Sequence, residues 1–174
     1  MDGQFGKVRD YLTAALCCAA AVLLDQVTKH LAVVHLKLQR EIVLIRGVFE
    51  LRYLENRGAA FGLFQNRQMF FVCAAVVIFL LIGFFYGRIP GGLKFLPMRI
   101  CAVLICAGAV GNLIDRIRYQ YVVDFFYFSL IDFPIFNVAD CYAVIACVLF
   151  AYLILFFYKE EELEWFAFFK NKDL

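Results

Sequence analysis

The chain has 174 residues, 64% of them hydrophobic, and a mean hydropathy of +0.79. Soluble domains carry roughly 45–50% apolar residues, so the composition excludes an ordinary water-soluble domain and makes the bilayer the natural solvent. A formal net charge of +2, with no basic run interleaved with aromatics, excludes a nucleic-acid partner.

Near the N-terminus, Lys7 and Arg9 precede an apolar run as in a secretory signal. No small-residue cleavage pattern closes the run, which predicts a retained first span. That span, residues 11–34, reaches the roughly 20 residues needed to cross the hydrocarbon core only if its helix continues through Asp25 and Lys29. Burying such charges costs about 2.5–3.5 kcal/mol each on insertion scales. At i,i+4 spacing the two side chains point the same way and can pair, which lowers that cost and pins the helix to its neighbours. Residues 41–45 and 48–53 are rich in β-branched and aromatic side chains and are separated by Arg46-Gly47, predicting a small hairpin. The second span, 69–86, carries no charge, and a short loop with Pro90, Gly91 and Gly92 follows it.

The third span, 98–115, places Gly108, Asn112 and Asp115 at i, i+4 and i+7 on one helix face, with Arg116 immediately after. Asp124 lies among valines and aromatics in YQYVVDFFYF, where a carboxylate is expected to be partly desolvated. The fourth span, 138–158, opens with Asp140, and Asn137 three residues before it reads as a helix N-cap with the carboxylate favouring the positive end of the helix dipole. The tail, 160–174, mixes four glutamates with Trp165, Phe166, Phe168 and Phe169 and suggests a short interfacial helix. The seven cysteines (Cys17, Cys18, Cys73, Cys101, Cys106, Cys141 and Cys147) lie in or beside apolar stretches, without metal-ligand spacing to a histidine, and read as packing residues.

Together these elements make residues 1–174 one integral membrane domain: an all-α membrane protein of four transmembrane helices with a small β-hairpin or sheet. Four spans put both termini and the loop 87–99 on one side, with regions 36–67 and 117–136 on the other. Positive charges flank both sides almost equally and do not set the orientation.

Two carboxylates that approach closely cannot both ionise easily, so the pair shares a proton near neutral pH. One member can then deprotonate a water for attack on an amide carbonyl while the other protonates the oxyanion or leaving nitrogen, with no covalent intermediate, metal or cofactor required. Asp124 and Asp140 fall on the same side of the membrane. Ser129 is the only serine, His30 and His35 lie close together, and no cysteine neighbours a histidine, so serine and cysteine catalysis are poorly supported. A small transporter using Asp25, Asp115, Asp124 and Asp140 to relay protons or bind a cation is the main alternative, weakened by the lack of broken paired repeats. A scaffold whose polar residues only specify helix packing is the other.

Five ordered motifs carry a family resemblance: DQVTK at 25–29, ENRGAAFG at 55–62, GAVGNLIDR at 108–116, VVDF at 122–125 and FNVAD at 136–140. In these the chain resembles the lipoprotein signal peptidases (signal peptidase II) over nearly its whole length. The resemblance implies an aspartic endopeptidase with Asp124 and Asp140 as the dyad, removing signal peptides from diacylglyceryl-modified prolipoproteins just before the lipidated cysteine. By the same resemblance Asn112, Arg116 and Asn137 position the dyad or contact substrate. Asn56 and Gly58 belong to a loop packed on the site, Asp115 supports it, and Asp25 and Lys29 are structural. It further implies an extracytoplasmic β-cradle, membrane lipid around the acyl chains, and a bacterial cytoplasmic (inner) membrane location with both termini in the cytoplasm. The 16 residues from Asp124 to Asp140 make a shorter loop than the resemblance implies.

Overall fold

The structure, a computed structural model, describes residues 2–38, 41–58 and 68–166. In chain order it comprises α1 (Asp2–Leu36), β1 (Ile42–Ile45), β2 (Phe49–Asn56), α2 (Gln68–Tyr86), α3 (Leu96–Tyr119), β3 (Val122–Tyr127) and α4 (Val138–Tyr152). Short 3-10 turns at Leu93–Phe95, Ser129–Ile131 and Glu160–Phe166 and a π-helical turn at Leu153–Phe157 complete it. Among the described residues, four helical stretches are long and apolar enough to cross a membrane: Lys7–Leu36, Met69–Tyr86, Leu93–Tyr119 and Val138–Phe157. The expected four-helix class with a small sheet is therefore what the chain adopts.

The helix ends differ from the expected spans for local reasons. Helix α1 runs unbroken through Asp25 and Lys29, as its length required. Helix α3 starts earlier and ends later than 98–115: Pro97 sits in its first turn, where a missing N–H costs nothing, and Arg116 and Arg118 favour the negative end of its dipole. Gln120 stops it in the left-handed conformation (φ 62°), its N–H donating to the Arg116 carbonyl at 3.1 Å.

The hairpin between the first two helices is present as β1 and β2, but the sheet has a third strand that the sequence did not announce. Strand β3 pairs antiparallel with β2, setting Leu54 opposite Asp124 and Asn56 opposite Val122. Its first four residues are all buried, so it lacks the apolar–polar alternation that marks a half-solvated strand. The chain then folds back on itself, with reciprocal backbone bonds between Phe126 and Phe136 at 2.8 and 3.0 Å. This bridge explains how so short a loop returns from Asp124 to the start of α4. Of the expected tail helix, 160–166 is a 3-10 turn and the rest, with Phe168 and Phe169, lies outside the described residues, as do residues 59–62 of the second motif.

Helix α3 is the axis of the bundle, packing against α1, α2 and α4. Its contact with α4 depends on Gly108, where an added Cβ would stand 2.6 Å from the Ala139 carbonyl oxygen, a backbone atom that cannot rotate away. Gly108→Ala should therefore force the helices apart and cost about 1–3 kcal/mol, typical of overpacking. The check is thermal unfolding in detergent: Gly108→Ala should lower Tm, and Gly83→Ala, whose Cβ would meet nothing within 4 Å, should not.

Candidate active site

The site forms where the sheet meets the ends of α3 and α4. Strand β3 carries Asp124 and the first turn of α4 carries Asp140, and Asn137 links the two. Asn137 is the N-cap of α4 in a capping box with Asp140: its Oδ1 accepts from the Asp140 N–H (3.1 Å) and its own N–H donates to Asp140 Oδ2 (3.1 Å). Its amide nitrogen also donates to Asp124 Oδ1 at 2.6 Å. One residue thus caps a helix, as the local pattern suggested, and binds both carboxylates.

The remaining carboxylate oxygens are also held. Asn56, at the end of β2, donates to Asp124 Oδ2 at 2.8 Å, and Asn112 on α3 donates to Asp140 Oδ1 at 2.9 Å. Each oxygen still has a lone pair free for a proton or a water. Asp124 is 1% exposed. Burial, reinforced by the nearby Asp140, pushes its carboxyl up to about 7 against the pull of the Asn56 and Asn137 hydrogen bonds.

A second polar layer lies beneath, built from Asp25, Lys29 and Asp115, which are 0, 3 and 1% exposed. The Lys29 ammonium stands 2.9 Å from both Asp25 and Asp115 and donates to Asn112 Oδ1 at 2.8 Å. An ammonium only donates, so the Asn112 amide oxygen must face Lys29, and its nitrogen is thereby turned toward Asp140. The two carboxylates of this layer reach the site through the backbone. Asp25 accepts from the Ala139 N–H at 2.9 Å and Asp115 from the Val123 N–H at 3.2 Å. These are the residues immediately before Asp140 and Asp124, so the ion triad fixes α4 and β3 relative to each other. Asp25 and Lys29 lie outside the cavity, but their contacts extend to the residues that flank the site. Gln26, overlooked in the sequence, joins the layer by donating to Asp115 at 3.0 Å and to the Gly111 carbonyl at 3.2 Å. A glutamine between Asp25 and Lys29 inside an apolar helix was the signal for it.

A cavity of about 630 Å³ opens over the carboxylates. Asn56, Gly58, Asn112, Arg116, Asp124 and Asp140 form its polar side, and residues of the β3–α4 connection and of α4, among them Phe133, Phe136, Val144 and Ile145, form its apolar walls. Arg116 donates to the Gly58 carbonyl at 3.3 Å and stacks over Phe71 at 4.4 Å, leaving its buried Nε without an acceptor among the described residues. Gly58 is held in turn by its N–H bond to Asn56 Oδ1 at 3.0 Å. Asp115 and the Asp25–Lys29 pair do not reach the cavity.

The family profile described as Signal peptidase (SPase) II matches residues 17–156. The chain belongs to the signal peptidase II family. Among its relatives, a lipoprotein signal peptidase of Clostridium tetani is 44% identical over 146 residues, covering 82% of this chain and 90% of that protein. One from Brevibacillus brevis is 45% identical over 125 residues, covering 72% and 83%. Two solved structures of a bacterial membrane enzyme, determined by the in meso method at 2.3 and 1.9 Å, align with TM-scores of 0.73 and 0.71 at 30% identity. They cover 82% and 83% of this chain and 87% and 93% of their own. Membership of the signal peptidase II family makes the chain a multi-pass membrane protease and sets aside the transporter and scaffold readings.

Proposed function

We propose that this chain is an aspartic endopeptidase that removes the signal peptide from diacylglyceryl-modified prolipoproteins, with Asp124 and Asp140 as its dyad. The observation that carries the reading is the clamp at Asn137, which binds both carboxylates at the floor of a single cavity. The pair holds one proton between them. Its ionised member takes a proton from a water as the water attacks the scissile carbonyl, and the other gives its proton to the developing oxyanion. Collapse of the tetrahedral intermediate breaks the C–N bond as the carboxyl that took the water's proton passes it to the leaving nitrogen, and the other carboxylate takes back the hydroxyl proton, which restores the one shared proton. Arg116, Asn112 and Asn56 offer donors along the polar side of the cavity for the substrate backbone, and the apolar wall suits a segment anchored by acyl chains.

In this reading the cut falls just before the lipidated cysteine. The protein sits in the bacterial cytoplasmic membrane with both termini in the cytoplasm and the sheet on the outer face. A substrate held in the bilayer by a signal helix and a lipid is best met by an enzyme whose site lies at the membrane surface.

The test is cleavage of a precursor peptide carrying a diacylglyceryl cysteine, with products identified by mass spectrometry. The expected product begins at the lipidated cysteine, the unlipidated peptide stays intact, and chelators leave the rate unchanged. Cleavage at another bond, or loss of activity with chelator restored by metal, would contradict the proposal. The pH profile carries its own prediction. Because Asp124 is pushed up to about 7, the shared proton is present below that pH and lost above it. The rate should then fall by about tenfold per unit on the alkaline limb.

A further inference from the structure

A second large cavity lies on another side of α3. Helices α1 and α2 each pack on α3 but hardly touch one another, so a groove of about 640 Å³ runs between them with α3 as its floor. Small side chains open it, among them Ala15, Cys18 and Ala19 on α1, Gly83 on α2 and Ala102 on α3. Its lining from Tyr11 to Gln26 of α1 extends over about 22 Å at 1.5 Å per residue, more than half of a hydrocarbon core about 30 Å thick. A groove so apolar within a bilayer is filled by hydrocarbon, not by water.

At the end remote from the sheet the groove meets a second cavity of about 260 Å³, and Tyr11 and Tyr86 border both. This one carries charge: Lys7, Arg99 and Asp10 stand in its lining beside Gly87, Ile89 and Gly91. Asp10 is paired with Arg99 at 2.6 Å, which leaves the cavity one positive charge in excess, and Arg99 Nε is buried there without an acceptor among the described residues.

We infer that the two cavities form one phospholipid site, taking an acyl chain in the groove and an anionic phosphate headgroup beside Lys7 and Arg99. The other candidate occupant of an intramembrane groove in this enzyme is a signal helix, but signal peptides carry positive charge at the end that would meet Lys7 and Arg99. Charge complementarity selects the anionic lipid. The site is separate from the cavity over Asp124 and Asp140, and the inference is independent of the dyad assignment.

The experiment is native mass spectrometry of the detergent-purified protein with phosphatidylglycerol or phosphatidylcholine, alongside the cleavage assay. The wild-type chain should retain one phosphatidylglycerol with about fivefold preference over phosphatidylcholine, the size of effect one cation exerts near a membrane surface. Lys7→Gln should abolish that preference. Gly83→Leu, which places its side chain in open groove space, should lose retention of both lipids while Tm and the cleavage rate hold. Equal retention of both lipids by the wild-type chain, or undiminished retention by Gly83→Leu, would overturn the site. A raised KM for the precursor in Gly83→Leu would overturn it too, by assigning the groove to substrate.

Discussion

Asp124→Asn and Asp140→Asn should each lower kcat for a lipidated precursor by about 10⁴-fold or more, at the upper end of what a positioned acid or base contributes. The loss is large because each substitution removes the ionisable group and leaves the second carboxylate without the neighbour that shares its proton. It should also be non-additive: groups that act as a unit fail together, so the double variant should be no slower than either single one. Folding is not the route of the loss. Asparagine keeps the shape at both positions at the loss of one hydrogen bond, because its amide nitrogen must face a donor, and the second-layer triad that anchors β3 and α4 remains intact. Retained cleavage in either single variant, with Tm preserved, would remove that residue from the dyad.

Lys29→Met should be the most damaging change outside the cavity. It withdraws the one ammonium that lies 2.9 Å from both Asp25 and Asp115 and leaves two buried carboxylates facing each other. Removing one partner of a buried ion pair costs about 3–5 kcal/mol, a large share of the 5–15 kcal/mol that holds a typical domain together. The variant should lose Tm or fail to survive extraction. A triple variant, Lys29→Met with Asp25→Asn and Asp115→Asn, separates stability from positioning. Neutralising all three groups should recover much of the stability. Cleavage should stay depressed by up to about 10²-fold, because the Asn112 amide oxygen has lost its 2.8 Å bond from Lys29 and keeps only the longer 3.2 Å bond from Asn137, so its nitrogen is held less firmly toward Asp140. If the triple variant regains both Tm and full kcat, Lys29 only holds the helices together.

How much of this was legible in the sequence follows the range of each interaction. Hydropathy and composition were enough for four helices, and the i,i+4 spacing of Asp25 and Lys29 was enough for their ion pair. Local pattern also placed Asn137 as the N-cap of α4. Contacts between distant segments were not legible: Asn137 reaching Asp124, Lys29 reaching Asn112 and Asp115, and Asp25 capping α4 all join residues brought together only by packing. Strand β3 was hidden for a different reason. Its first four residues are all buried, packed among α1 and β2 side chains, so its sequence reads as a continuous apolar run with a single carboxylate in it. The ordered motifs selected Asp124 and Asp140 over Asp25 and Asp115. In the structure the first two line the cavity, and the second two share the single Lys29 ammonium beneath it.

The proposed sharing of one proton between Asp124 and Asp140 can be read straight from the carboxyl titration of Asp124. It can be followed by carbon NMR of aspartate-labelled protein in detergent, in the wild type and in Asp140→Asn. Asp124 should titrate near 7 in the wild type and at a lower pH in Asp140→Asn, still above the ordinary carboxylate range because burial remains the larger cause. A midpoint near 4 in the wild type, or one unmoved by Asp140→Asn, would contradict that sharing.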